Sequence, residues 1–221
     1  MVTMGKGPAM TAGLKLCAAL WLAGLSAAAF AGAPVTVRIV DAAGRPVTDA
    51  VVTLVPASGE APRPRAAGGY RVVQKNTTFN PFVSIVPVGA TVAFPNLDPF
   101  RHHVYSFSPA KTFELKLFAS DQSRSVTFDR AGIVAIGCNI HDSMSAYIFV
   151  SDTPWAQRTP ASGTVRFPDS PSGAVVMKVW HPYLRSPGGV LVRPLGPVDA
   201  ARSETLKVPL RAPPVHTMSD Y

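Results

Sequence analysis

The sequence predicts an all-β protein. Short runs of alternating apolar and polar residues recur along the chain, and this period of two is typical of strands buried on one face. The 221 residues include 17 glycines and 22 prolines, which separate these runs as turn residues do. No long helical period follows the opening segment. The expected structure is therefore a set of short strands joined by turns.

The opening segment has the pattern of a secretory signal peptide. Lys6 and Lys15 supply positive charge, and the apolar run Leu16–Phe30 contains no charged residue. A small-x-small site ends at Ala31, which predicts a signal peptide over residues 1–31 with cleavage before Gly32. The run is too short for a comfortable membrane span. We expect an exported, periplasmic protein with no membrane span in its mature form.

Eleven candidate strands follow the signal segment. In TFELKLF, for example, Phe113, Leu115 and Leu117 point one way and Glu114 and Lys116 the other, as in a half-buried strand. The candidates are VTVRIV (35–40), AVVTLV (50–55), FVSIVPV (82–88), ATVAFP (90–95), HHVYSFS (102–108), TFELKLF (112–118), RSVTFD (124–129), GIVAIG (132–137), SAYIFV (145–150), GTVRF (163–167) and AVVMKVW (174–180).

Two changes in composition predict domain boundaries. The stretch 56–69 is rich in Pro, Gly and Ala, and the stretch 151–163 is similar, as expected of linkers or long loops. Between them, residues 70–152 are expected to form a small β-sandwich domain. Residues 32–69 are then an N-terminal β segment with a linker, and residues 153–221 are a C-terminal β segment with a proline-containing tail.

The distribution of the basic residues along the chain argues against nucleic-acid binding. The formal net charge is +8, and it falls to +6 without residues 1–31, which hold two lysines and no acids. The basic residues are scattered, with no Lys/Arg run and no aromatic motif of an RNA-binding module. We therefore expect no nucleic-acid partner.

One cysteine, Cys138, remains after the predicted cleavage, because the other, Cys17, lies in the signal segment. A single cysteine forms no internal disulfide in an oxidising compartment. One interpretation is a buried, inert cysteine that acts as a small hydrophobe. The alternative comes from GCNIHDSM (137–144), where His141 and Met144 follow Cys138 by three and six residues between two predicted strands.

A thiolate, imidazoles and a thioether form the ligand set of blue-copper sites, with a weak axial Met. A second imidazole is available from His102 or His103, which open a predicted strand. Successive strand residues face opposite sides, so one of the two faces the cysteine loop. Alternation alone leaves open which of the two is the ligand.

These segments resemble the cupredoxins, specifically the plastocyanin and amicyanin-like group. GATVAFPN (89–96) is similar to the family pattern Gly-x-x-Val-x-Phe-x-Asn, and His102 follows Asn96 by the six residues expected of a ligand. AGIVAIGCNIHDSMSAYIFV (131–150) has the Cys-x-x-His-x-x-Met spacing of amicyanin. The resemblance implies a Greek-key cupredoxin sandwich over residues 70–152.

The resemblance also implies a site and a function. The site is one copper ion, cycling between Cu(I) and Cu(II), held by four side chains: His102, Cys138, His141 and Met144. The implied function is one-electron transfer with an unknown redox partner protein. One departure from the family is His103, which stands where Asn usually follows the first ligand histidine. His103 either makes the hydrogen bond across the two loops that this Asn makes, or replaces His102 as the ligand. The family spacing and the strand alternation favour His102. The alternatives are a copper-handling protein and a non-redox partner-binding module with structural copper.

An enzyme is not expected, because copper oxidases and nitrite reductases need more histidines than the five in this chain. The flanks resemble carboxypeptidase-regulatory-like or transthyretin-like β-sandwich modules, in VRIVDAAGRPVTDAVVTLVP (37–56) and GTVRFPDSPSGAVVMKVW (163–180). They either pair as a second small sandwich or form separate appendages. The whole chain resembles exported cupredoxin-like proteins labelled methylamine utilisation proteins.

Overall fold

The computed structural model describes residues 1–3, 32–140 and 144–214. Nearly all of the predicted signal segment (residues 4–31) and the predicted ligand His141 lie outside these ranges. Within them the chain forms strands and a single 3₁₀ turn (Pro187–Gly189), so the all-β prediction is confirmed. The strands are β1 (Val35–Val40), β2 (Val51–Pro56), β3 (Tyr70–Arg71), β4 (Val73–Lys75), β5 (Thr78–Asn80), β6 (Val83–Pro87), β7 (Ala90–Pro95), β8 (His102–Ser108), β9 (Lys111–Phe118), β10 (Ser123–Phe128), β11 (Gly132–Gly137), β12 (Ser145–Ser151), β13 (Ala156–Arg158), β14 (Thr164–Phe167), β15 (Ala174–Trp180), β16 (Val190–Pro197) and β17 (Arg202–Lys207).

The middle of the chain forms what we call the central sandwich, made of strands β3 to β12. One sheet has the order β6-β12-β11-β8-β9, and the facing sheet has the order β10-β7-β3. The short hairpin β4–β5 lies beside them, with Gln74 bridged to Asn96. Aromatic residues Phe94, Phe118 and Phe128 are buried between the sheets because alternate strand residues point inward.

The register of β8, β11 and β12 brings two distant segments to one end of the central sandwich. Strand β11 lies between β12 and β8, with Gly137 paired to Ser145 on one side and to Tyr105 on the other. The residue after Gly137 is Cys138, and β8 begins at His102. Antiparallel pairing therefore places the start of β8 and the end of β11 close together.

The chain on either side of the central sandwich forms the flanking sandwich, made of β1, β2 and β13 to β17. Its sheets have the orders β14-β1-β17 and β13-β2-β15-β16, and they enclose a second apolar core that includes Leu54, Phe167 and Met177. Residues 202–207, which were not among the predicted strands, form β17, which pairs in parallel with β1.

A third apolar cluster joins the two sandwiches. Trp180 of β15 is 5 % exposed and contacts the rings of Tyr147 and Phe149 on β12, with centroid separations of 5.6 and 5.9 Å. Val51 and Val83 are buried beside it. The flanking sandwich therefore covers the outer face of β6 and β12 and leaves the outer face of β8 and β9 uncovered by this cluster.

No helix within the described ranges is long and apolar enough to cross a membrane.

Candidate metal centre

The loop between β7 and β8 is built around a buried asparagine. The Asn96 side-chain amide donates to the carbonyls of Phe100 (2.8 Å) and Phe118 (3.2 Å). Its Oδ1 accepts the Asp98 N–H at 3.0 Å. One side chain thus satisfies two backbone groups of the loop and the carbonyl of Phe118, the last residue of β9. These bonds hold the loop in the conformation from which β8 begins at His102.

His102 is fully buried, and each of its ring nitrogens faces a different group. Nδ1 lies 3.9 Å from the Sγ of Cys138, and Nε2 lies 2.7 Å from the Oδ2 of Asp98. The ring of Phe100 meets the imidazole edge-on at a centroid separation of 5.1 Å. The imidazole is therefore held on three sides, with one nitrogen aimed at a sulfur atom.

Asp98 is the group that meets the far side of this imidazole, and it is 3 % exposed. Its oxygens accept the backbone N–H of Asn76 at 2.6 Å and of Thr77 at 3.0 Å. Burial opposes the ionisation of Asp98, but the hydrogen bonds from Thr77, His102 and Asn76 outweigh it and hold its pKa below the ordinary value. The β4–β5 turn thus anchors the carboxylate that contacts His102.

The loop between β11 and β12 presents two sulfur-bearing side chains. The backbone N–H of Cys138 donates to the carbonyl of Met144 at 3.2 Å, which closes the base of the loop just beyond the last paired residues of the ladder. Both residues are buried, at 4 % and 2 % exposure, and both belong to the core of the central sandwich. His141, the predicted ligand between them, lies outside the described residues.

His103 takes a different direction from His102. Its Nε2 lies 2.9 Å from the Oε1 of Glu114 on β9, and its ring stacks at 5.6 Å on that of Tyr105. The β8–β9 register shifts between His102 and Val104, which is the irregularity of a bulge. Among the described residues Nδ1 of His103 has no hydrogen-bond partner. The expected bond from His103 across the two loops is therefore not among the described contacts, and His102 is the histidine that faces Cys138.

A surface groove of about 530 Å³ borders the cysteine side of this site. Cys138 and Met144 line its floor, together with Tyr105 and the strongly exposed Phe107. A methyl group on Gly137 would lie 3.0 Å from the Tyr105 hydroxyl, so the small residue before Cys138 leaves room for this ring. Both sulfur-bearing residues stay almost fully buried beside the groove, at 4 % and 2 % exposure.

The donor atoms that are present fit a soft or borderline metal ion. Bonds of about 2.0 Å to an imidazole nitrogen and about 2.3 Å to a thiolate, at a trigonal angle of about 120°, place N and S about 3.7 Å apart. The observed separation between His102 Nδ1 and Cys138 Sγ is 3.9 Å. No cluster of three or more His, Cys, Asp or Glu side chains suited to a metal lies in the described part of the chain.

Asp98 was not among the predicted site residues, although it precedes His102 by four residues in the same polar loop. A carboxylate four residues before a candidate metal-binding histidine was the available signal.

A third buried histidine, His181, lies in the flanking sandwich, where its Nδ1 accepts the Tyr183 N–H at 3.1 Å. Burial lowers the pKa of His181, against the attraction of Asp49, which raises it.

Comparison with protein-family models and with curated proteins gives no match. Among solved structures, a reduced variant of amicyanin is similar at 23 % identity and a TM-score of 0.36, over 45 % of this chain and 98 % of that one. The Cu(I) form of a second amicyanin variant is similar at 21 % identity and a TM-score of 0.36, over 45 % of this chain and 99 % of that one. A purple cupredoxin from Nitrosopumilus maritimus is similar at 19 % identity and a TM-score of 0.34, over 37 % of this chain and 99 % of that one. Similarities of this size carry no argument about the site.

Proposed function

We propose that this protein is a one-electron carrier with a type 1 copper site, in which Cys138, His102 and His141 are the strong ligands and Met144 is the weak axial ligand. The observation that supports this proposal most directly is the 3.9 Å approach of His102 Nδ1 to Cys138 Sγ in a buried setting. Copper supplies the redox chemistry, since thiolate and imidazole together accommodate both Cu(I) and Cu(II).

The chain's own residues keep the site rigid. The Asn96 bonds fix the approach of His102, and the Cys138–Met144 backbone bond fixes the loop that carries both sulfurs. Both loops leave strands that pair with each other through β11 and β8. Ligands held in this way move little when the charge at the site changes, and small reorganisation favours rapid electron exchange.

Burial of the sulfur supports a function that keeps water away from it. Cys138 is 4 % exposed, and Ile136 of the preceding strand adds an apolar wall. In an exported protein, a single cysteine that forms no disulfide is exposed to oxidation in the periplasm. A bound copper ion occupies the thiolate and protects it, which accounts for keeping one cysteine there.

The periplasmic location and the redox partner are parts of the same proposal. The signal segment over residues 1–31 directs export, and N-terminal sequencing of the secreted chain is expected to begin at Gly32. Phe107 is 81 % exposed at the groove beside the site, and Ile140 and Phe100 are also exposed at this end. An apolar surface of this kind suits brief contact with a second redox protein.

A second candidate function rests on the same 3.9 Å separation. A thiol can donate a weak hydrogen bond to an imidazole nitrogen at this distance, in which case Cys138 is a structural residue. The protein would then be a non-redox binding module, with the flanking sandwich or the exposed Phe107 in contact with its partner.

The test of electron transfer is a redox titration of the copper-loaded protein, with total copper measured after each cycle. We expect a reversible one-electron couple, with the metal retained through repeated reduction and reoxidation. Copper that passes to a competing chelator on reduction would indicate copper handling instead. A protein that holds no copper after desalting would indicate the binding module.

A further inference from the structure

Asp98 and His102 form a buried contact of 2.7 Å through Nε2, the ring nitrogen that does not face Cys138. We propose that Asp98 is a positioning residue that keeps the hydrogen of the His102 ring on Nε2 and so leaves the Nδ1 lone pair facing Cys138. The tautomer is a property of the metal-free chain. Its consequence for copper rests on the proposed function.

In this hydrogen bond the carboxylate of Asp98 accepts and the imidazole of His102 donates. The Oδ1 of Asp98 accepts the Asn76 N–H at 2.6 Å, and Oδ2 accepts the Thr77 N–H at 3.0 Å. Backbone amides only donate, so both carboxylate oxygens already act as acceptors. The 2.7 Å contact from Oδ2 to His102 is therefore an Nε2–H donor bond. A neutral imidazole with hydrogen on Nε2 has its lone pair on Nδ1.

The Asp98 carboxylate is held rigidly in place. Asn76 and Thr77 both have positive φ, 53° and 55°, and this turn conformation aims successive N–H groups at the carboxylate. The backbone N–H of Asp98 is itself held by Asn96 Oδ1 at 3.0 Å. Asp98 is thus fixed from two segments of the chain, and its contact with His102 cannot rotate away without breaking several bonds.

The hydrogen bond from His102 to Asp98 has a consequence for metal affinity. A carboxylate behind a ligating histidine orients the ring and raises its basicity, and loss of such a partner typically costs 10- to 100-fold in metal affinity. The chain offers a matched comparison. Glu114 contacts Nε2 of His103 at 2.9 Å, in the same chemical arrangement, but that imidazole does not face Cys138.

The experiment begins with the copper-free full chain above about pH 8, where an ordinary histidine is neutral. Long-range ¹H–¹⁵N NMR correlations of the His102 ring report its tautomer in the wild type and in Asp98→Ala, Asp98→Asn and Glu114→Ala. Competition with the chromophoric ligand bicinchoninate reports Cu(I) affinity. We expect hydrogen on Nε2 in the wild type, loss of that preference in Asp98→Ala and a 10- to 100-fold fall in affinity.

The control variants separate positioning from general damage to the fold. Asp98→Asn keeps one acceptor oxygen, so we expect it to recover part of the affinity lost in Asp98→Ala. Glu114→Ala is expected to stay within about threefold of the wild type. If Asp98→Ala does not fold, the wild-type tautomer and the affinity of Asp98→Asn decide the matter.

Two results would overturn the inference: hydrogen on Nδ1 in the wild type, or an unchanged tautomer and affinity in Asp98→Ala. Failure of the proposed function has a different signature, because a chain that binds no copper still shows the His102 tautomer by NMR.

Discussion

Replacement of Trp180 by alanine tests whether the two sandwiches unfold as one unit. Trp180 is 5 % exposed and contacts the ring of Tyr147 edge-on and the ring of Phe149 at a tilt, both in the other sandwich. Removing a buried tryptophan costs about 3–5 kcal/mol. Each of the two ring contacts accounts for about 0.5–1.5 kcal/mol beyond its buried area. The expected loss is a large part of the 5–15 kcal/mol that stabilises a typical domain.

The assay is scanning calorimetry of the copper-free chain, supported by urea unfolding followed by circular dichroism. For a chain of this size a loss of 3–5 kcal/mol lowers Tm by about 6–20 °C. We expect one transition in the wild type and two in Trp180→Ala, because the cluster that couples the two cores is lost. This also tests the predicted domain boundaries, which stay a prediction until the cores are shown to unfold separately.

The control for this variant is Val192→Ala. Val192 lies on the adjacent strand β16 and is 56 % exposed, so its truncation is expected to change stability by less than about 0.5 kcal/mol. A loss of less than about 1 kcal/mol in Trp180→Ala, with the wild-type transition unchanged, would refute the reasoning. The contact between the sandwiches would then contribute little to stability.

Two further predictions concern the histidines. His102→Gln is expected to abolish copper binding through the Cys138 thiolate, whereas His103→Gln retains it, because only His102 faces the sulfur; equal loss of the thiolate-to-copper absorption in both variants would contradict this assignment. Because burial lowers the pKa of His181, the unfolded chain binds the extra proton more readily, so stability falls as pH drops below the unfolded value of about 6.5, by at most about 1.4 kcal/mol per pH unit. His181→Asn keeps an acceptor for the Tyr183 N–H and is expected to flatten this decline in urea unfolding between pH 5 and 8; an identical pH profile in the variant would show that other groups cause it.

The sequence was sufficient for strands whose apolar residues alternate cleanly. Strands β1, β7, β8, β11 and β15 have the bounds expected from the pattern. In each of them one face is buried in a core, and this burial produces the alternation from which the bounds are read.

The strands that were missed lack this signal for physical reasons. Strand β16 contains Pro194 and Pro197, which interrupt a predicted strand but are tolerated here because β16 is the edge of its sheet. Strand β17 has the polar sequence RSETLK. It is ordered as a strand because it pairs in parallel with β1, which lies 162 or more residues earlier in the chain. Strands β3, β4 and β5 have only two or three residues each, too few to show a period.

The candidate site divides in the same way. The candidate ligands His102, Cys138, His141 and Met144 were proposed because their spacing within two short segments carries the pattern. Asp98 was missed: its position four residues before His102 was a visible signal, but the backbone amides of the β4–β5 turn that hold its carboxylate leave no trace in residue type. A carboxylate held by backbone donors is recognised from geometry and not from sequence.

The most direct test of the account is the absorption and EPR spectrum of the Cu(II)-loaded protein, measured beside Cys138→Ser. The account predicts an intense thiolate-to-copper band in the visible region with narrow copper hyperfine splitting, and the loss of both in the variant. A colourless wild-type protein, or a spectrum unchanged by Cys138→Ser, would contradict the proposal that this thiol is a copper ligand.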